Sequence, residues 1–364
     1  MKPRSNTLFK TASVIPQDAE VELIDRLTAA AIEAGVRVER IDIANIYIAL
    51  KHRPLAILTG PAGRGKCAFL QRLSNILAGS DGLKRQIMPG HAWYLGGSPV
   101  NTTLINMHSR MITEKVFYII EEALQPENAQ QVFIVGLTNI SPAELLSFFT
   151  ELAGQVQHKE VKHIGDAHLS TPFRFPPNLL LIGTMNTGDF DFWDEDLLSG
   201  TTVIEWHADI VGSPLESARE SNNLGSVYLH SSVRNSWNAY EKLMTATASM
   251  KQPLQAVMLV KRILQVHGLE FSPGLLDEVI LYLANAWSAQ GNGLLHPFTS
   301  CNLAIAIDLA LVQLVLPRYL EPIRSSETLQ AELQKVLDKY LPRCNAFLNL
   351  EGDEPPFPIS PKGI

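Results

Sequence analysis

The chain has 364 residues, of which 46% are hydrophobic and 18% are charged, a composition typical of a folded protein with a sizeable core. This composition excludes a wholly disordered chain, and the length predicts two domains or one large domain with an appendage. The 37 acidic and 30 basic side chains leave a formal net charge of −7. This acidic balance argues against direct binding of a nucleic-acid backbone by this chain alone, because such binding needs a basic surface.

The three cysteines, Cys67, Cys301 and Cys344, form no CxxC pair for metal or redox work, and we expect reduced thiols in a cytoplasmic protein. The N-terminus lacks the unbroken apolar stretch of a signal peptide. No apolar run approaches the ~20 residues that a membrane helix requires. We therefore expect a soluble chain without a membrane partner.

The first predicted elements are two helices, over residues 18–36 and 40–50. The apolar run LAILTG at 55–60 predicts a buried strand, which a glycine-rich turn and a helix at 67–77 follow. Further apolar runs predict three more strands, at 131–136, 178–186 and 201–206. Continuous apolar strands separated by helices are typical of a parallel sheet covered on both faces, so the predicted fold class is α/β.

From residue 207 onward the pattern changes to helices, and no β-rich run is visible. Five helical segments are predicted there, at 232–244, 253–268, 273–287, 301–320 and 325–341. The last residues, EGDEPPFPISPKGI, are rich in proline and predict a mobile tail.

The turn after the first predicted strand carries the pattern G-x-x-x-x-G-K, whose backbone N–H groups cradle phosphates while the lysine reaches the outer phosphates. A buried strand enters this turn and a helix leaves it, which adds the helix N-terminal dipole. A glycine-rich turn with a surface lysine is the alternative interpretation. The predicted nucleotide-binding residues are Gly60, Pro61, Ala62, Gly63, Arg64, Gly65, Lys66 and Cys67.

Cys67 occupies the position where a serine or threonine hydroxyl would bind Mg²⁺. Mg²⁺ is a hard ion that prefers oxygen ligands, so a thiol is a poor substitute. We therefore expect ATP or GTP binding through Lys66 and the loop amides, with Mg²⁺ weakly bound or absent, and we assign no metal-ligating residue. Cys67 also fits a small buried residue at the start of a helix.

With this loop placed, the chain resembles the McrB-like branch of the AAA+ ATPases, the GTPase or ATPase motor subunits of modification-dependent restriction systems. The resemblance covers roughly residues 20–345 and is carried by IYIALKHRPLAILTGPAGRGK at 46–66, FPPNLLLIGTMNTGDF at 175–190 and, more weakly, LVQLVLPRYLEPIRSSETLQAEL at 311–333. It implies that Asn186 is the sensor 1 residue, which positions the attacking water. Taken alone, Asn186 is a turn residue that ends a strand.

The chain departs from the family pattern at the Walker B acids. Gly136 stands where the magnesium aspartate is expected and Leu137 where the water-activating glutamate is expected, although Asn139 remains. The nearby Glu144 lies inside the next predicted helix and is a poor substitute. Loss of a general base costs about 10² to 10⁴ in rate, so we expect little hydrolysis.

A second departure follows Asn186, where the family has arginines that reach the neighbouring subunit's nucleotide. Here Ser199, Gly200 and Thr201 stand in their place. An arginine finger contributes about 10³ to 10⁵ in rate. The preceding aromatic and acidic residues at 190–196 predict a solvated loop that contacts the adjacent subunit.

The resemblance implies an N-terminal helical lead-in at 1–50, an AAA+ P-loop core at 51–206, an all-helical lid at 207–350 and a tail at 351–364. The predicted function is a structural or regulatory subunit that binds nucleotide, hydrolyses it poorly and joins a catalytically competent AAA+ chain in a hetero-oligomer. We expect no base-specific nucleic-acid binding. The alternatives are a slow motor completed by a neighbouring subunit and a nucleotide-independent scaffold. A defence role is an association with the family.

Overall fold

The structure is a computed structural model that describes residues 18–53, 55–79, 82–89, 102–141, 145, 148, 176–186, 201–210, 224–337 and 341–348. Several predicted features lie outside the described residues, namely Glu144, the contact loop at 190–196, Ser199, Gly200 and the tail at 351–364.

The N-terminal half alternates helices and strands in the order α1 (Ala19–Glu33), β1 (Val36–Arg37), α2 (Arg40–His52), β2 (Leu55–Gly60), α3 (Lys66–Ala78), β3 (Arg85–Pro89), α4 (Thr102–Ala123), β4 (Phe133–Thr138), β5 (Leu179–Asn186), β6 (Thr202–Glu205) and β7 (Asp209–Ile210). Helices then follow as α5 (Gly225–Ser231), α6 (Ser236–Ala246), α7 (Gln255–Val266), α8 (Pro273–Asn285), α9 (Thr299–Ala310), α10 (Leu320–Ser325), α11 (Glu327–Leu337) and α12 (Pro342–Leu348). A π-helix at Leu311–Val315 and a 3₁₀-helix at Leu316–Tyr319 join α9 to α10.

Five strands form a parallel sheet in the order β3-β4-β5-β2-β6. Every residue of β2 is buried, as are seven of the eight residues of β5. Such burial is expected for parallel strands that helices cover on both faces. The predicted α/β class with a parallel sheet is confirmed. The short strands β1 and β7 form a separate antiparallel pair.

The main differences between the strand predictions and the structure concern four strands. β1 was not predicted, and its first residue, Val36, lies in a segment predicted as a helix. β4 begins at Phe133, two residues later than predicted. β3 was missed because its sequence, RQIMP, has no apolar run, and as an edge strand it is only partly buried. β7 contradicts the expectation of no strand after residue 207, although it spans only two residues.

Two hydrophobic clusters cover the two faces of the sheet. The smaller cluster joins one face to α4, with Val116 and Ile120 packed among the side chains of β2, β4 and β5. The larger cluster runs from α1, α2 and α3 across the other face and continues through the C-terminal helices to Leu348. The N-terminal helices and the C-terminal helices therefore share one core with the sheet.

Helix α2 lies inside this larger core, and all ten of its residues from Ile43 to His52 are buried. Its lysine forms a buried ion pair, in which Lys51 Nζ donates to Glu20 Oε1 at 2.6 Å and the two side chains are 0% and 2% exposed. Tyr47 donates to the same oxygen at 3.0 Å, and the backbone N–H of Ala289 donates to Glu20 Oε2 at 2.7 Å. One carboxylate thus links α1, α2 and the loop after α8.

Two further polar contacts tie the N-terminal helices to the C-terminal helices. The N-cap residue of α1, Asp18, accepts hydrogen bonds from Ser288 Oγ at 2.5 Å and Asn292 Nδ2 at 2.7 Å. Tyr282 of α8 donates to Asn45 Oδ1 of α2 at 2.5 Å. Each link satisfies a polar group in the interior, where an unpaired group would be costly.

The residue after α2, Arg53, makes an ionic link at the entrance to β2. It is 2% exposed, donates to the carbonyl of Thr201 at 2.7 Å and forms an ion pair with Glu278 of α8. Arg318 shares the same carboxylate at 3.0 Å. The start of β2 is therefore held both to Thr201, the residue before β6, and to Glu278 of α8.

The helical segment Thr299–Ser325 is long and apolar enough to cross a membrane by composition, contrary to the sequence expectation that no run approaches that length. Within the structure, 72% of its most apolar window is buried against the rest of the chain. Its apolar surface is therefore covered by protein, as in the core helix of a soluble protein.

Breaking the Glu20–Lys51 pair should destabilise the whole fold. In Lys51→Met the carboxylate of Glu20 stays buried without its cation, and removal of one partner of such a pair costs about 3–5 kcal/mol. Urea unfolding measures the change in free energy. Arg26→Ala, which breaks the exposed Glu22–Arg26 pair at 3.6 Å, is the control and should cost less than about 1 kcal/mol. Equal losses in the two variants would contradict the assigned role of the buried pair.

Candidate nucleotide-binding site

The glycine-rich loop lies between β2, the strand beside the sheet centre, and the N-terminus of α3. Gly60, Gly63 and Gly65 have φ values of +152°, +75° and +82°, in the region that favours glycine. At Gly65 a Cβ atom would come within 2.6 Å of Val36 Cγ2. The backbone conformation and the contact with β1 therefore both require glycine at this position.

Trp206, the residue after β6, holds the loop from the other side. Its backbone N–H donates to the carbonyl of Thr59 at 2.7 Å, and its indole Nε1 donates to the carbonyl of Arg64 at 2.6 Å. Its ring lies 4.8 Å from that of Phe69 of α3, and only 2% of the residue is exposed. Sequence reasoning missed this residue because nothing local marks a tryptophan at a strand end as a loop contact.

Lys66, the first residue of α3, folds back onto its own loop. Its Nζ donates to the carbonyls of Gly60 and Pro61 at 2.7 Å each, and the residue is 4% exposed. Burial lowers the pKa of Lys66 from its ordinary value. An ammonium has three N–H donors, so one donor remains for a phosphate oxygen. In the described part of the chain, Lys66 forms no ion pair with a carboxylate.

The neighbouring strand β5 brings further polar groups to the same edge of the sheet. Its last residue, Asn186, pairs in register with Gly60, so it lies beside the first residue of the loop. Two residues earlier, the buried Thr184 accepts a hydrogen bond from the backbone N–H of Asn139 at 2.9 Å, and its Oγ1 lies 3.5 Å from Cys67 Sγ. The structure thus brings Cys67, Asn139 and Asn186 together.

Thr184 was missed by sequence reasoning, although a lone polar residue inside an apolar strand was a usable signal. Asn139 has a φ of +53° and is the only described residue other than glycine with a positive φ. Asparagine tolerates this conformation better than most residues. Its backbone turns the chain away from β4 beside Thr184.

The positions of the two expected Walker B acids lie in apolar packing. A Cβ atom at Gly136 would meet Leu70 Cδ2 at 3.0 Å and Ile87 Cγ1 at 3.2 Å. Leu137 is 1% exposed and belongs to the hydrophobic cluster on the opposite face of the sheet. Over the described residues, no group of three or more histidine, cysteine, aspartate or glutamate side chains is arranged to hold a metal ion.

A polar cluster follows Trp206, where α2 begins and α12 approaches. His207 Nε2 lies 3.1 Å from Glu205 Oε2. Burial by itself would lower the pKa of His207, but the hydrogen bond and the negative charge of Glu205 outweigh it and raise this pKa above its ordinary value. Burial raises the pKa of Asp42 to about 6, despite the opposing charges of His207 and Arg343. Titratable side chains therefore lie at the end of β6, next to the Trp206 that contacts the loop.

No protein-family model matches this chain, and no curated protein matches it. The assignment of the loop therefore depends on its sequence pattern and on its position in the sheet.

The contact between Gly65 and Val36 predicts unequal effects of alanine at two loop glycines. Gly63→Ala should cost about 1–2 kcal/mol, because its φ is left-handed but no atom lies within 4 Å of the added Cβ. Gly65→Ala should cost about 1–3 kcal/mol more, because the added Cβ overpacks against Val36. Chemical unfolding measures both.

A double variant provides the internal control for this steric argument. Val36→Ala removes the methyl groups that the new Cβ meets, so the extra cost of Gly65→Ala should fall in the Val36→Ala background. An unchanged cost in that background, or equal costs at Gly63 and Gly65, would show that the contact does not govern the loop.

Proposed function

We propose that the chain is a McrB-like AAA+ subunit, with a P-loop core and a helical lid, that binds ATP or GTP through residues 60–67. The observation that carries this proposal is the G-x-x-x-x-G-K turn, which joins the buried strand β2 to the N-terminus of α3 and has the Lys66 ammonium within it. Ligands of open α/β sheets bind at the carboxyl ends of the strands. Phosphates bind at helix N-termini, where backbone N–H groups and the helix dipole favour negative charge.

Two features outside the loop support the family assignment. Asn186 lies beside Gly60 at the carboxyl end of the adjacent strand, a position suited to contact with a bound phosphate or with water near it. The helices from α5 to α12 follow the sheet in sequence, as a lid follows the core in this family.

We infer that nucleotide binding and hydrolysis are separated in this chain. The loop glycines and Lys66 suffice to hold phosphates, whereas Gly136 and Leu137 lie in apolar surroundings and have no acid to offer. Cys67 meets the hydroxyl of Thr184, which is a poor set of ligands for Mg²⁺. A general base alone contributes about 10² to 10⁴ in rate.

We propose that this poorly hydrolysing AAA+ chain acts as a structural or regulatory subunit of a larger assembly. The resemblance implies that AAA+ sites lie between subunits, so the driving hydrolysis would come from a catalytically competent AAA+ partner. We place this assembly in the cytoplasm.

One observation favours a second candidate, a scaffold that has lost the ligand. Lys66 already satisfies two of its donors with the carbonyls of Gly60 and Pro61. The loop is thereby held together by its own lysine, and the fold does not need a nucleotide to satisfy that buried ammonium. A nucleotide must compete with these two hydrogen bonds.

Nucleotide binding should raise the melting temperature of the protein. A ligand that binds only the folded state stabilises it by about 2.7 kcal/mol at 100 times its dissociation constant. Differential scanning fluorimetry with millimolar ATP or GTP, with and without Mg²⁺, measures the shift, which Lys66→Ala should abolish. Lys335→Ala, at an exposed lysine of α11, is the control and should keep the shift. If neither nucleotide moves the wild-type melting curve, the scaffold explains the chain better.

Hydrolysis by the purified chain should be indistinguishable from that of Lys66→Ala in a phosphate-release assay. Introducing both acids in Gly136→Asp/Leu137→Glu should not restore turnover, because the new aspartate meets Leu70 and the new glutamate enters an apolar cluster. The double variant should also unfold at lower urea concentration. A turnover of the wild type that approaches the typical range of about 1–100 per second and depends on Lys66 would contradict the proposal.

A further inference from the structure

A surface groove among the C-terminal helices lies between α6 and α7 and shares no residue with the glycine-rich loop at residues 60–67. It encloses about 640 Å³. Tyr240 and Met244 of α6 form one wall, and Met258, Leu259 and Arg262 of α7 form the other. The connection between the two helices closes one end with Pro253 and Leu254.

Helices α6 and α7 each have one apolar stripe that packs in the core, and the apolar residues of this groove form a second stripe on their outer side. Ala239 and Leu243 of α6 and Val260 of α7 face the core and are fully buried. On the outer side, Tyr240 is 47% exposed and Met258 is 46% exposed. An amphipathic surface helix normally has one apolar stripe, so an additional exposed stripe rimmed by polar residues marks an interaction site.

The outer stripe continues beyond the groove along both helices. On α6, Trp237 is 77% exposed and lies three residues before Tyr240, which places the two side chains on the same face. On α7, Leu259 is 38% exposed and Val266 is 72% exposed, seven residues apart. The apolar surface is therefore elongated along the helix axes, as a bound helix would require.

The charge of this region is opposite to that of the chain. Residues 233–268 contain five basic side chains and one acidic side chain, a net charge of +4, whereas the chain has a net charge of −7. Three of the five lysines and arginines have contacts within the chain: Lys242 donates to the carbonyl of Trp287 at 2.7 Å, Lys261 lies over the ring of Phe271, and Arg234 forms a side-chain hydrogen bond with Tyr228.

Of the other cations, Arg262 lines the groove, and Lys251 directly precedes the lining residues Gln252 and Pro253. Both cations are exposed, and neither forms an ion pair with any of the acidic groups that the structure describes. A carboxylate on a bound partner would therefore meet available positive charge at the end and at one wall of the groove.

We propose that this groove binds an acidic amphipathic helix of another protein. The apolar face of that helix packs on Tyr240, Met244 and Met258, and its carboxylates meet Lys251 and Arg262. Methionine side chains are flexible and polarisable, which suits a groove that accepts the side chains of a helix. The proposal goes beyond nucleotide binding and does not depend on it.

A fluorescein-labelled model peptide of 18 residues, built from leucine on one face and glutamate on the other, tests this proposal with the full chain. We expect saturable binding by fluorescence anisotropy with a dissociation constant of roughly micromolar order. A peptide with lysine in place of every glutamate should bind at least about tenfold more weakly, because its charge repels the basic rim.

Two variants and two matched controls locate the binding. Met258→Asp should weaken binding about tenfold or more, because it places a charge on the apolar wall. Arg262→Glu should weaken it about threefold or more, because it reverses a rim charge. The controls are Met111→Asp, at a methionine of α4 that is 49% exposed, and Arg324→Glu, at an exposed arginine of α10, and both should bind like the wild type. Circular dichroism melts confirm that all four variants are folded.

Four results would overturn the proposal. The first is no binding of the acidic peptide, or binding that Met258→Asp and Arg262→Glu leave unchanged. The second is a self-associated chain that Met258→Asp converts to a monomer in sedimentation velocity, which would assign the groove to a second copy. The third is binding of a single-stranded oligonucleotide, but not of the peptide, that Arg262→Glu abolishes. The last is peptide binding that appears only when Glu351, Asp353 and Glu354 are changed to glutamine, which would assign the groove to the chain's own C-terminal residues.

Discussion

The burial of helix α2 is the constraint on which the rest of the structure depends. This helix leads directly into β2 and is enclosed by the sheet, by α1 and by the C-terminal helices. Its lysine and its asparagine are both buried, and a buried polar group of this kind normally has a hydrogen-bond partner. The Glu20–Lys51 pair and the Asn45–Tyr282 hydrogen bond supply those partners, and both reach beyond α2 itself. The same contacts therefore join the sheet to the helical region.

The burial of α2 also affects the geometry of the glycine-rich loop at residues 60–67. Helix α2 and Arg53 fix the start of β2, which lies between β5 and β6 in the sheet. At the end of β2, Trp206 and Val36 contact the loop from two sides. The loop thus has a defined shape, with its lysine already inside it. The two positions at which the resemblance implies Walker B acids lie in apolar packing, since a Cβ atom at Gly136 would meet Leu70 and the side chain of Leu137 is buried on the other face of the sheet. This arrangement supports the proposal that the loop holds phosphates and that the chain does not cleave them.

The helical region combines two different uses of amphipathic helices. Its inner stripes complete the core that α2 and the sheet begin, and they account for the burial of the apolar segment Thr299–Ser325. On α6 and α7 a second stripe faces outward beside the exposed side chains of Lys251 and Arg262, which form no ion pair with the acidic groups in the described part of the chain. The inner stripes belong to the core, whereas the outer stripe lies outside it, and we propose that it binds a partner helix.

The sequence by itself determined the class of the fold, the strand β2 and the loop that follows it. LAILTG, the glycines and Lys66 form one contiguous signal, and strand formation, tight turns and a helix start are each governed by neighbours within a few residues. The edge strand β3 was not predicted, because partial burial removes the apolar run that marks an inner strand. The contacts of Trp206, Val36 and Thr184 with the loop were also not predicted. These three residues lie 142, 29 and 117 residues from the loop positions that they contact, and only the order and register of the strands bring them there. Strand order is decided by packing over the whole chain, so local sequence patterns carry no record of it.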